Sequence, residues 1–506
     1  DAFVTLLECA RSAVEVALKP LPNWDRLQWM GMVVNWGLTN LIGVVKDRML
    51  TANDENLFDD QNYTDWLIRH GLSKQAQHSS LSWFYNDIIA GYENGEADRP
   101  WMAAGSSVLG LVRMLMTYRG SFSYALQSEI GDSFVGPVYQ ALVARKVKFK
   151  FFHRVWELHS AESSDGEKMI TKIKIEEQVE LRWPDLGYDP FLTINPPIGP
   201  RKVWPSEPKL GLLTDASVRK ITDESGNINV NLESFYTGQI GETHEIEQGV
   251  DFDQVVFAMP MGVIPTYCKK LCDESPAWEN MGTKLLSVPT QVISLWFKKS
   301  FKMGKGYHQP ILSGYSQPFA TWEDCSQLSE AETWPPDGEA KATATLFGAL
   351  PGPMQPLPFG TPPHEFDAVL QKAVRSAKLF LDNEASGLWP EACYPGTGAL
   401  DPDNLCKITG ATRESQPIPN VVVNVNVGPL DRYTQVAPGT LKYRQRPGET
   451  GYSNMVIAGD WVRNGIEVGC LEGAVIAGRC AAGVLSGKKI DILGNWLNFQ
   501  YQRREP

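Results

Sequence analysis

Histidine and cysteine are sparse in this chain and poorly spaced for metal chemistry. The seven histidines include no i, i+4 pair. The eight cysteines (Cys9, Cys268, Cys272, Cys325, Cys393, Cys406, Cys470 and Cys480) contain no Cys-x-x-Cys and no cluster at zinc-ligand spacing. No metal centre is expected. Scattered thiols without a disulfide framework imply reduced cysteines and a cytoplasmic setting. Positive charge is short as well: 47 Lys and Arg stand against 59 Asp and Glu, a net charge of −12. That balance argues against nucleic acid or an anionic membrane as the main partner. No apolar run approaches the length that spans a bilayer, and internal repeats and low-complexity tracts are absent from the sequence.

What is present is enough apolar material for a large core: 506 residues, 43% of them hydrophobic, suited to two interwoven domains. Residues 1 to about 120 read as helices, with apolar residues at helical spacing over Phe3 to Leu18, Leu27 to Val45 and Ala103 to Met116. Trp24, Trp29, Trp36, Trp66, Trp83 and Trp101 are spread through this part, as core or as the wall of an apolar cavity. A strand is expected over Met169 to Glu177, followed by a proline-dense path (Asn195-Pro-Pro-Ile-Gly-Pro200) that excludes a central strand. Ser287 to Lys299 and residues 340–350 read as strands of a second sheet. Residues 326–365 are loop-heavy, with Pro335-Pro336, and a helix is expected from His364 to about Leu381. Arg432, Lys442, Arg444 and Arg446 precede the last strand, as a solvated basic turn or as cations for an acidic group.

That last strand opens the most informative stretch. Met455 to Ala458 is apolar and ends at Gly459-Asp460. A short polar loop follows, and a helix is expected to begin near Gly469, with small residues at Gly473, Ala474, Ala477, Gly478 and Ala481. Gly or Ala at that spacing makes a smooth helix face that a backbone or a flat ligand can approach. A helix N-terminus supplies free N–H groups and a positive dipole end for an anionic group. Asp460, at the carboxyl end of a strand, suits sugar-like hydroxyls, and a dinucleotide lying across an α/β sheet needs these parts.

This stretch resembles the C-terminal FAD-binding motif of the flavin amine oxidase and carotenoid (phytoene) desaturase superfamily. Two further stretches carry the resemblance: Asp251 to Pro260, a buried strand leaving into a loop, and Gly131-Asp132 through Val155, with Arg145 to Lys150 as turn and strand. The resemblance implies noncovalent FAD. Position by position, it implies ribityl and pyrophosphate contacts at Gly459 and Asp460. It implies a helix start at Gly469, Leu471, Glu472, Gly473 and Ala474 facing the flavin edge, with Gly473, Ala474 and Gly478 on one crowded seam. It implies a crossing beside the flavin at Ala258 and Pro260, and adenine contact by the Val155 backbone. The implied fold class is α/β (α+β): a Rossmann-like FAD domain of glutathione-reductase type interleaved with a mixed helix and sheet substrate domain. FAD segments fall at 125–165, 208–268 and 415–490. The helical part of the substrate domain falls at 1–124, an insertion at 166–207, further substrate domain at 269–414, and a tail at 491–506.

The superfamily opens with a strand, a G-x-G-x-x-G turn and a helix, and this sequence contains no G-x-G-x-x-G. The nearest candidate, Gly304-Lys-Gly306, lacks the third glycine. A fragment lacking the first FAD segment is therefore expected, with that segment cleaved off, carried by a partner chain or lying outside this stretch of sequence. The implied activity is FAD-dependent oxidation or desaturation of an organic substrate by hydride transfer to flavin N5. One alternative is an oxygen-using amine or amino-acid oxidase, against which stands the absence of a lysine within Thr290 to Phe297. The other is an accessory subunit that needs a partner chain to hold FAD. No catalytic side chain is singled out.

Overall fold

The computed structural model describes residues 2–18, 25–49, 56–121, 124–301, 311–334, 338–408 and 418–493. Trp24, Gly304-Lys-Gly306, Pro335-Pro336 and all but the first three residues of the 491–506 tail lie outside the described residues.

The chain opens with helices: α1 (Ala2–Leu18), α2 (Asp25–Lys46), α3 (Tyr63–Arg69), α4 (Lys74–Gln77), α5 (Ser80–Ile88) and α6 (Ala104–Thr117). The side chains of Asn62 and Ser73 accept hydrogen bonds from the first-turn N–H groups of α3 and α4, and so cap them. Tyr63, Trp66, Tyr85, Met102 and Val108 build a core with Val436, Leu441 and Val468 from the C-terminal part. Trp36 packs against that core, Trp83 and Trp101 pack beside Tyr92, and Trp29 is half exposed. Trp36, Trp66, Trp83 and Trp101 thus serve packing.

A π-helical turn, Gly131–Val135, runs into α7 (Gly136–Ala144). Next come β1 (His153–Glu162), β2 (Lys168–Glu177), β3 (Leu192–Ile194), β4 (Arg201–Val203), α8 (Asp215–Ile221) and β5 (Glu242–Glu247). β1, β2 and β5 form an antiparallel sheet in that order, with His153 opposite Glu177 and Ile175 opposite His244. Residues 178–241, between β2 and β5, carry a small core of their own around Val179, Leu213 and Ile221. The turn expected at Arg145 is present, but residues 147–150 form no strand. A strand needs a hydrogen-bonded neighbour, and none of the described strands runs beside them.

The remainder holds β6 (Val255–Phe257), α9 (Ile264–Tyr267), α10 (Lys269–Glu274), α11 (Pro276–Lys284), β7 (Leu286–Val288), β8 (Thr290–Phe297), β9 (Ile311–Leu312) and β10 (Thr321–Asp324). It continues with β11 (Ala342–Ala349), α12 (Pro363–Asn383), α13 (Ala385–Leu388), β12 (Val422–Asn426), β13 (Tyr433–Gln435), β14 (Met455–Ile457) and α14 (Leu471–Ser486). β12, β8, β11, β10 and β9 make an antiparallel sheet in that order. Alternation along β8 sends Ile293, Leu295 and Phe297 into the core shared with Ala373, Ala377 and Phe380 of α12. β13 pairs with β7, and β14 pairs with β6 in parallel, Met455 opposite Val255. The class is mixed helix and sheet. Among the described residues no helix is long and apolar enough to cross a membrane.

Candidate functional site

Two parallel strands end side by side, and the expected residues gather at that end. Beyond β6 and β14, the Ala458 N–H donates to Phe257 O at 3.0 Å. Gly459 then turns the chain at φ +141°, where a Cβ would sit 2.6 Å from Trp461 Nε1. The Trp461 ring is buried, and its Nε1 donates to Met259 O at 3.0 Å. That bond clamps Ala258–Pro260 against Gly459–Trp461. Ala258 is exposed and Pro260 half-buried. Val155, half-buried on β1, packs against the same core as Phe257, Met259 and Trp461.

Asp460 is half-buried, and Thr434 Oγ1 donates to its Oδ1 at 3.2 Å. Burial pushes its carboxyl above the ordinary value, while the neighbouring Arg444 and the Thr434 hydroxyl pull the other way. Beneath the turn lies Arg444, fully buried. Its Nη1 donates to Asp460 O at 3.1 Å and its Nη2 to Gln435 O at 2.8 Å, and Glu467 Oε2 stands 3.6 Å from Nη1. Glu467 Oε1 accepts the N–H groups of Asn464 (3.1 Å) and Gly465 (2.7 Å). The Asn464 amide donates to Asp460 O at 3.1 Å and Val462 O at 2.9 Å, and its Oδ1 accepts from Ile466 and Glu467. Arg444 Nε and Glu467 Oε2 have no hydrogen-bond partner among the described residues.

α14 begins at Leu471, two residues later than Gly469, because Cys470 acts as its cap: Sγ accepts the Gly473 N–H at 3.2 Å. Burial pushes the Cys470 thiol up to about 11. The Tyr433 hydroxyl donates to Gly469 O, and the Gly469 N–H donates to Thr434 O. Leu471 and Glu472 are exposed, Gly473 is buried and Ala474 half-buried. The small-residue face is used for packing: Ala477 joins the core under β14, and Ala481 meets Val456 and Ala458. A Cβ on Gly473 would point at Asn464 Nδ2, 3.2 Å away. A Cβ on Gly478 meets nothing within 4 Å among the described residues.

The other cations near this end hold structure. Arg432 donates to Ser287 O and Gln355 O, Lys442 lies over the Tyr443 ring, and Arg446 pairs with Glu449. Sequence reasoning missed Thr434, Asn464 and Glu467. The run Asn464-Gly465-Ile466-Glu467 carries a turn signal, Asn-Gly before a short polar loop, that pointed to two of them.

A cavity of about 690 Å³ lies on the outer face of the five-stranded sheet, with Ser294, Trp296, Glu323 and Thr343 among its lining. Burial, and after it the neighbouring Glu129, pushes the carboxyls of Glu323 and Glu332 upward. Among the described residues no lysine lines this cavity, and Lys298 Nζ instead donates to Asp403 O. A second cavity of about 680 Å³ lies between Phe151 and Phe152 and residues of the stretch between β2 and β5, among them Tyr188 and Trp204.

No family model matches this chain. Over 58 residues, 11% of this chain and 9% of the relative, it is 45% identical to the carotenoid phi-ring synthase of Chlorobaculum tepidum. The match thus spans less than a tenth of that protein's length. Among solved structures, an oxidoreductase from Methanosarcina mazei aligns at 10% identity over 89% of this chain and 72% of its own, with a TM-score of 0.45. The chain is therefore similar, over one short stretch, to a phi-ring synthase.

Proposed function

We propose that this chain is part of an FAD-dependent oxidoreductase that oxidises or desaturates an organic substrate. One observation carries the reading: the Gly459-Asp460 turn leaves a parallel strand pair beside the start of the 16-residue helix α14. The residues present fit the group. An ionised carboxylate can accept several hydrogen bonds, and among the described residues Thr434 is the one side chain that donates to the Asp460 carboxylate, beside the backbone N–H groups of Asp460 and Trp461. Gly459 adds no side chain at the turn, and Ala258, Leu471 and Glu472 around it are open. Asp460 would accept hydrogen bonds from cofactor hydroxyls, and the α14 N-terminus would face an anionic or electron-rich edge. Bound FAD supplies the hydride acceptor. The short identity to a carotenoid phi-ring synthase supports a carotenoid-like substrate over an amine.

A second reading, that a further segment or a partner chain completes the cofactor site, has its own observation. α7 is apolar on most faces yet largely uncovered, with Val138, Leu142 and Val143 exposed, and Val147 and Phe149 continue the patch. A helix that is apolar all round is normally buried.

The test is the visible absorbance of protein expressed from its complete coding sequence, before and after addition of FAD. The reading expects a flavin spectrum at one equivalent. A protein that stays colourless after FAD is added and the excess removed overturns it.

A further inference from the structure

We propose that Thr434 is the positioning residue that aims the Asp460 carboxylate, and that β13 thereby sets the cofactor turn relative to the five-stranded sheet. The proposal rests on the flavin reading above. β13 is three residues long, and each of them is tied to something else. The Tyr433 hydroxyl holds Gly469 O, the Thr434 hydroxyl holds Asp460 Oδ1, and the Gln435 amide reaches Ile89 O and Ala90 O. On its other side β13 is registered on β7, Thr434 opposite Ser287, and β7 passes through Pro289 into β8 of the five-stranded sheet. One short strand therefore links the Gly-Asp turn, the helix start and, through β7, the five-stranded sheet.

The Asp460 backbone is fixed from below by Arg444 and Asn464, both donating to its carbonyl oxygen. The carboxylate lies outside that frame and meets the backbone N–H groups of Asp460 and Trp461 and, from another strand, the Thr434 hydroxyl. Arg444 is a buried cation with one nitrogen, Nε, lacking a hydrogen-bond partner among the described residues, and it attracts the carboxylate inward. The Thr434 hydroxyl opposes that rotation by holding Oδ1 on the β13 side. Without it, the carboxylate turns toward the guanidinium and away from a ligand.

The experiment titrates FAD into the full-length parent, Thr434→Val and Thr434→Ser, following flavin fluorescence, and records the melting temperature of each without FAD. Valine keeps the shape and removes the hydroxyl, whereas serine keeps the hydroxyl. The expected result is FAD affinity roughly five- to tenfold weaker for valine, from one lost hydrogen bond. Serine should restore it to within about twofold, with flavin-free melting temperatures alike. Equal weakening by valine and serine, or unchanged affinity for valine, overturns the positioning role while leaving the flavin reading standing. A valine variant whose flavin-free melting falls in step with its affinity also overturns it. A parent that binds no FAD removes both.

Discussion

Replacing Gly459 with alanine probes the turn most sharply. The residue sits at φ +141°, a region that side-chain-bearing residues rarely adopt, and holding alanine there costs about 1–3 kcal/mol. The new Cβ would lie 2.6 Å from Trp461 Nε1 and 2.9 Å from Cδ1. Both distances are too short to persist, so the ring must shift. Trp461 is only 1% exposed and is held in the core around Phe257, Ile457 and Val462, so it has little room to move. The bond from Nε1 to Met259 O is then lost or stretched, at about 0.5–1.5 kcal/mol. Together these give about 2–4 kcal/mol, a large share of the 5–15 kcal/mol typical of a folded domain. Chemical denaturation should show a lower midpoint at unchanged slope. A midpoint equal to the parent's would mean that the turn is not packed as described, and the reasoning about Gly459 would fail.

Other outcomes follow from the same geometry. Gly478→Ala lies in the middle of α14 with open space around its Cβ, so it should stabilise by about 0.4–1 kcal/mol in the same assay; a loss would contradict the open face. Asp87 is buried, receives the Tyr92 hydroxyl and the Gln317 amide, and has its carboxyl raised chiefly by that burial. A raised carboxyl holds its proton more tightly when folded, so its contribution is complete below the unfolded value of about 3.9 and is lost as pH climbs through the folded value. Asp87→Asn should therefore flatten the fall in unfolding free energy across that window; a pH profile identical to the parent's would count against it. Val138→Lys together with Leu142→Lys on α7 should change this chain's stability by less than about 0.5 kcal/mol. If a further segment or partner covers α7, the same pair should weaken FAD retention in the complete protein. Unchanged retention there would remove the second reading.

The long helices are legible from sequence because their pattern is local: apolar spacing places α1, α2, α6 and α12 to within a few residues. Strands with β-branched alternation, such as β8, are legible for the same reason. Residues 147–150 carry a similar alternation, yet strand formation depends on a neighbour, which no local pattern reports. At the site, Gly459 and Asp460 are visible as a strand-ending pair, and the structure packs Val155 against the core around Trp461 and holds Ala258 and Pro260 beside the turn through the Trp461–Met259 bond. The frame beneath them is not visible. Arg444 reads as one cation of a basic turn, and only the fold brings it against Asp460 and Glu467. β13 is too short for any periodicity to mark it, so Thr434 has no signal of its own. The small residues of α14 suit close approach of any kind, and the approaching partner is β14.

The central claim is that Asp460 holds a flavin dinucleotide, and side-by-side gel filtration of the FAD-loaded parent and Asp460→Ala tests it most directly. Charge-assisted hydrogen bonds to this carboxylate are worth roughly 1.5–3 kcal/mol each, enough to weaken binding by about tenfold or more. The account predicts that the parent elutes with one equivalent of FAD, while Asp460→Ala elutes folded and largely stripped. Stoichiometric FAD on the eluted Asp460→Ala protein would contradict it.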